Sequence, residues 1–260
     1  MNDAHGQNRR PHIVVWDLAA FLDQHYRAAV AICVVGALFF SWLFIQFSVD
    51  DSFISHRYAR NLVEHGVWNW NPDGETVEAY TSFLYAALAV IPEWTGIDTP
   101  LFFKGLGVMI LALTLWRLHR YANGKAAFLC VLVAICLNPV FFIHLYSGLE
   151  TPLFIFLVIE SFGLLADGRA RKREKYFYIL LLLLPLTRPE GAVFAAAALG
   201  LHLWHARGRI GSLWLLGGLA ALGLAYFVWR YHYFGQLLPN SFYVKSLHAF
   251  TPGRFARNVF

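Results

Sequence analysis

The chain has 260 residues, 58% of them hydrophobic and only 14% charged, with a net charge of +5 at neutral pH. A mean hydropathy of +0.50 lies far outside the range of soluble domains and excludes one, which makes this an integral membrane protein with membrane lipids as its surroundings. The basic residues fall in short clusters between apolar runs, a pattern that orients a membrane chain and argues against nucleic acid as a partner.

Residues 1–28 read as a polar, partly amphipathic leader, in which Arg9, Arg10 and Arg27 favour a cytoplasmic N-terminus. The first apolar run, 29–49, has no small-residue cleavage site and reads as a retained anchor. A spanning helix needs roughly 20 apolar residues, and the further candidates are 101–118, 126–146, 152–166, 176–186, 192–204 and 211–229. The run 80–92 is ambiguous. If it does not cross, the clusters Arg117/Arg120/Lys125, Arg169 to Lys175 and Arg207/Arg209 all join the N-terminus on the cytoplasmic side; if it crosses, all three fall outside. The positive-inside rule therefore makes 80–92 a helix lying in the outer interface, within one outer loop spanning 50–98. The expected fold is an all-α polytopic bundle of about seven transmembrane helices over residues 29–230, followed by an outer segment 231–260.

This topology sorts the acids onto one face. Asp50, Asp51, Glu64, Asp73, Glu75, Glu78, Glu93, Asp98, Glu150 and Glu190 all fall outside, with Arg188 and Lys245. The runs 176–186 and 192–204 are short and flanked by basic residues, so they read as a hairpin with "TRPEG" at its tip. At ~1.5 Å per residue they reach about half to two-thirds of a ~30 Å hydrocarbon core. Polar backbone at that depth is tolerated only where it lines a protein cavity, which implies a water-accessible pit opening outward.

Asp50 and Asp51 follow the first run directly and are expected to cap its helix. As punctuation they would mark a headgroup boundary; as catalysts, one carboxylate would deprotonate an acceptor hydroxyl while the other orients it, since a proximal pair splits its proton affinities. Glu150, in "YSGLETPL", either favours the N-terminus of the next helix through its dipole or joins the acidic pair. Arg188 and Glu190 lie at membrane depth, where ionisable groups point to function; they could pair with each other, or Arg188 could grip a lipid phosphate through its planar fork while Glu190 orients it. Asn240, Ser241 and Lys245 offer donors to a phosphate or sugar, with an amphipathic surface segment as the alternative for Lys245, and Lys104 could add a charge or simply snorkel to the headgroups. Tyr80, Thr81, Trp68, Trp70 and Asn71 suit an interfacial aromatic belt, with sugar stacking open to one of the tryptophans. Cys33, Cys130 and Cys136 sit in apolar runs as inert thiols. The histidines have no ligand-like spacing, although Asp50, Asp51 and Glu150 could share a divalent cation through oxygen ligands. Glu160, inside an apolar run, requires a partner in the pit or on an adjacent helix.

The acidic pair, the long outer loop and the returning polar tips resemble the GT-C superfamily of polyprenyl-phosphate-dependent glycosyltransferases. More closely, "DDSFISHRYARNLVEHGVWNWNPDGETVEAYTSFLY", "YSGLETPLF", "LTRPEGAV" and "YFGQLLPNSFYVKS" resemble, in order, the arabinofuranosyltransferases of the mycobacterial cell wall and of pilin glycosylation, over about residues 49–246. The resemblance implies a polyprenyl phosphoryl-arabinofuranose donor, a polysaccharide or pilin-like acceptor, and a site facing outward from the bacterial cytoplasmic membrane. It implies Asp50 or Asp51 as catalytic base, Glu150 and Glu190 lining the donor and acceptor pit, and Arg188 and Lys245 on the lipid phosphate. Such enzymes usually continue past the last motif, whereas this chain stops at Phe260, which leaves acceptor recognition open. The rival readings are a hexosyl donor such as mannose, and a lipid or glycolipid transporter, which would carry polar residues through the inner half of the membrane and often repeat symmetry.

Overall fold

A computed structural model describes residues 13–206, 213–236 and 240. These are 78% helix, with no strand among them. The apolar runs dictate this: with no water to satisfy the backbone, a helix that bonds its own peptide groups is what a lipid-exposed segment adopts.

α1 (Ile13–Phe44) contains the span Gln24–Phe44, of which only 6% of the most apolar window is buried by the rest of the protein. Val35, Leu38 and Trp42 stand more than half exposed, a face that lipid covers and water would not. After Phe44 the chain turns, and α2 (Asp50–His65) begins six residues later. The sequence expectation is corrected here. The helix of the first run ends before residue 49, and Asp50 and Asp51 occupy the first turn of a new helix, where carboxylates complement the positive N-terminal end.

α2 ends at Gly66, whose φ of 71° closes the helix in the left-handed region that glycine tolerates. α3 (Phe83–Thr95) starts on Ser82, whose hydroxyl accepts the Tyr85 N–H at 3.3 Å, and packs chiefly on α2, with further contacts to α4 (Thr99–Tyr121) and a later helix described below. α4 is the second clear span, capped by Asp98, whose carboxylate accepts the Leu101 N–H at 2.8 Å.

The run 126–146 breaks into α5 (Lys125–Cys136) and α6 (Pro139–Tyr146), bent by 65°. Pro139 has no N–H to continue the first ladder, and the Asn138 side chain accepts the Val140 N–H at 3.0 Å to start the second. α7 (Thr151–Ala166), α8 (Glu174–Thr187), α9 (Gly191–Ala206) and α10 (Leu213–Phe234) complete the described helices. By length and composition two helices can cross a membrane, or three if the bent α5–α6 pair is one span. α7, α8 and α9 have 16, 14 and 16 residues, about 21–24 Å at ~1.5 Å per residue, so the hairpin and its partner remain shorter than a ~30 Å core.

α1 packs on α5 and α6, α4 on α7, and α8 packs on α7, α9, α10 and α3. Glu160 finds its partner between α7 and α4. The Arg117 Nε–H donates to Glu160 Oε2 at 2.5 Å, and the Tyr121 hydroxyl bridges both, accepting from Arg117 Nη2 at 2.6 Å and donating to the same carboxylate oxygen at 3.0 Å. Arg117, expected as one of a basic cluster flanking an apolar run, has a side chain 7% exposed and turned into the bundle.

Candidate functional site

The loop of residues 66–82 is built onto α2 by side chains rather than by regular structure. Asn69 is buried and acts as the hub: its amide donates to the carbonyls of Asn71 at 2.9 Å and Glu75 at 3.0 Å, while its carbonyl accepts the N–H groups of Trp70 at 2.8 Å and Val77 at 3.0 Å. Asn61 of α2 donates to the carbonyls of residues 69 and 70, and the Tyr58 hydroxyl donates to the Val77 carbonyl while accepting the Ala79 N–H. Tyr80, a candidate for substrate contact, is 2% exposed and packed among Tyr58, Trp68, Phe83 and Phe234, with its hydroxyl accepting the Trp68 indole N–H at 3.0 Å. Its observed role is to hold the loop, and the buried position leaves no surface for a ligand.

Glu78 and Arg230 form a pair that the sequence reading did not single out. Two near-parallel contacts, Arg230 Nε to Glu78 Oε1 at 2.8 Å and Nη2 to Oε2 at 2.6 Å, join the outer loop to α10, with both side chains almost fully buried. Burial pushes the Glu78 carboxyl above its ordinary range against the pull of the guanidinium. The Asn240 N–H donates to the Glu78 carbonyl at 3.0 Å, so Asn240 of the last motif lies beside the "VEAY" of the first. An arginine inside the apolar run "YFVWRYHYF" was the available signal.

Three separate segments meet at the opposite end of α2. The Val49 N–H donates to the Ser147 carbonyl at 3.1 Å, tying the start of α2 to the turn between α6 and α7. Gly148, with φ of 79°, lies against Ser52, and a β-carbon there would come 3.1 Å from the serine Cβ. That turn delivers Glu150, 8% exposed. The α8–α9 turn brings Arg188, whose Nε lies 2.8 Å from Glu190 Oε1 and 3.6 Å from Glu150 Oε1. Of the two readings of Arg188 and Glu190, the mutual pair is present, and the guanidinium also reaches a carboxylate from another turn, Glu150. Gly191 makes the turn tight, since a β-carbon there would stand 2.1 Å from the Leu184 carbonyl oxygen.

Burial raises the Glu150 carboxyl's proton affinity. The Arg188 charge opposes that, and the charges of Glu190 and Asp51 add to it. Asp51 is therefore close enough to be felt by Glu150, while the Asp50 and Asp51 side chains themselves are exposed. Arg188 is 37% exposed and Glu190 50%, so the charged tip is open to ligand. Lys104 is anchored elsewhere, donating to the Ile45 carbonyl at 2.8 Å in the connector before α2, and makes no ion pair among the described residues. Among the described residues no three His, Cys, Asp or Glu side chains are grouped to hold a metal ion. Ser241 and Lys245 lie outside the described residues. What the arrangement can do is hold an anion at Arg188 beside carboxylates that differ in exposure, which suits departure of an anionic group coupled to proton removal.

No protein-family model, curated protein or solved structure matches the chain.

Proposed function

We propose that this protein is a GT-C-type membrane glycosyltransferase, moving a pentofuranose, arabinofuranose on the resemblance of its motifs, from a polyprenyl phosphate to an acceptor hydroxyl. The observation that supports it is the gathering of Asp51, Glu150, Arg188 and Glu190 from three chain segments into one open group. In this reading the acceptor oxygen bonds to the anomeric carbon as that carbon's bond to the phosphate oxygen breaks. Asp51 or Asp50 takes the acceptor proton, and polyprenyl phosphate leaves with the bonding pair, its charge met by Arg188 and by Lys245. The acceptor is a polysaccharide or pilin-like glycoprotein.

The same proposal places the shorter helices α7, α8 and α9, with α10 and the bent pair, in the bilayer beside α1 and α4. That makes seven crossings, with α2 and α3 on the outer face of a bacterial cytoplasmic membrane. Short helices are accommodated by local thinning and by the flanking Lys175 and Arg207.

The test is donor turnover. Membranes containing the wild type or Asp51→Asn receive synthetic polyprenyl phosphoryl-arabinofuranose with acceptor oligosaccharide, and released polyprenyl phosphate is followed by mass spectrometry. Release by the wild type, lowered at least about a hundredfold in the variant, is expected. Equal release from both moves the base to Asp50; no release from either, across acceptors and divalent cations, overturns the function.

A further inference from the structure

Two adjoining clefts, of about 400 and 370 Å³, run along the outer side of α2 and share Phe53, His56 and Arg60. One continues between α2 and the α3–α4 junction past Glu93 and Asp98; the other opens over Arg57 and Trp70. Asp50, Phe53, Arg57 and Arg60 stand at i, i+3, i+7 and i+10 of one helix, so the clefts and one of the candidate catalytic acids share a face. From Asp50 to Arg60 that face extends about 15 Å.

The lining is fixed. The Arg57 guanidinium lies 4.2 Å from the Trp70 ring centroid and donates to the Trp70 carbonyl at 2.9 Å and to Asn71 Oδ1 at 2.8 Å. The Arg60 Nε–H donates to Glu93 Oε2 at 3.2 Å, and Glu93 accepts the Thr99 hydroxyl at 2.7 Å. His56 is 4% exposed, stacked on Phe103, with Nε2 lacking a hydrogen-bond partner among the described residues. Phe53 is large, apolar and 48% exposed at the mouth. The formal charges of two arginines and two acids cancel, so a phosphate would meet Glu93 and Asp98 as well as the guanidiniums. A neutral polyhydroxylated chain meets a flat aromatic ring, a flat stacked guanidinium, and paired donors and acceptors.

We propose that the α2 face from Phe53 to Arg60, with Trp70 of the following loop, binds the acceptor as a neutral oligosaccharide, laid along the helix with its reactive end toward the Asp50–Asp51 pair. This rests on the glycosyltransferase reading for the role of the sugar as acceptor, but binding itself does not require turnover. Phe53 supplies stacking area, Arg57 and Arg60 donate to hydroxyl pairs, and Glu93 accepts from them.

The experiment measures binding of a linear neutral pentofuranose tetrasaccharide to the purified full chain by saturation-transfer NMR, for the wild type, Phe53→Ala and Arg60→Gln. Acceptor-independent release of polyprenyl phosphate and thermal unfolding are followed in the same preparations. Phe53→Ala should weaken binding about tenfold with the unfolding temperature little changed. Arg60→Gln should weaken it by a similar factor. Donor release with no tetrasaccharide binding to the wild type, or binding equal in the wild type and Phe53→Ala, overturns this inference and leaves the enzyme reading standing. Binding that Phe53→Ala weakens, with no donor release under any condition, upholds the glycan cleft and overturns the enzyme.

Discussion

His56 is the most sharply testable residue of the outer loop. Burial lowers its imidazole from the ordinary 6.5 to about 4; the Glu93 charge opposes this, the Arg60 charge reinforces it, and Asp98 opposes it more weakly. Because the folded form then binds fewer protons than the unfolded chain between these values, stability is full above the unfolded value. It falls as pH drops from about 6.5 to about 4 and levels off below. At about 1.4 kcal/mol per tenfold change in proton affinity, the loss is about 3 kcal/mol. His56→Phe keeps the stack on Phe103 and removes the titrating group together with the partnerless Nε2. Carboxylates also titrate in this range, so the quantity to read is the difference between wild type and variant. Thermal unfolding in detergent from pH 7.5 to 4 should show the wild type falling about 6–12 °C further than His56→Phe, at ~2–4 °C per kcal/mol for a chain of this size. Parallel curves for the two proteins would refute the reasoning, since they would mean that the histidine is hydrated when folded.

Other expectations follow from the bundle and the charged tip. Arg117→Met or Glu160→Leu alone should each lose about 3–5 kcal/mol by stranding the other charge between α4 and α7, while the double variant should recover most of it; guanidinium-free unfolding in detergent measures all three. Gly191→Ala must push the α8–α9 turn away from the Leu184 carbonyl, and a loss of at least about 2 kcal/mol in unfolding is expected, with lowered donor turnover because Arg188 and Glu190 move with it. Arg188→Lys keeps the charge but not the planar fork that reaches Glu190 and Glu150; donor KM should rise about tenfold with unfolding temperature little changed.

Several elements were legible because their signals are local. The hairpin with "TRPEG" at its tip, the helix near residues 80–92 and the short α8 and α9 follow from apolar run length, proline and capping side chains. Its ends were less legible. The first run reads as apolar to Val49, yet the helix stops at Phe44, and "DD" opens the next helix rather than closing the last. The break at Asn138–Pro139 was written in the sequence as a cap followed by a proline, but an uninterrupted apolar run concealed it. For the candidate site, Glu150, Arg188 and Glu190 come together in the fold, while Tyr80 is packed in the aromatic core that the loop builds for itself.

By itself the sequence determined what solvent each segment requires: apolar runs that must satisfy their own backbone in lipid, and polar segments between them that must stay in water or find buried partners. Those are single-residue transfer energies, and they need no knowledge of neighbours. Only the tertiary structure decided which charges meet. Glu78 selects Arg230 across 152 residues, Glu160 selects Arg117 across 43, and Arg188 reaches Glu150 as well as the nearer Glu190. A buried charge must find a partner somewhere, but the sequence states only the need, and helix packing supplies the partner.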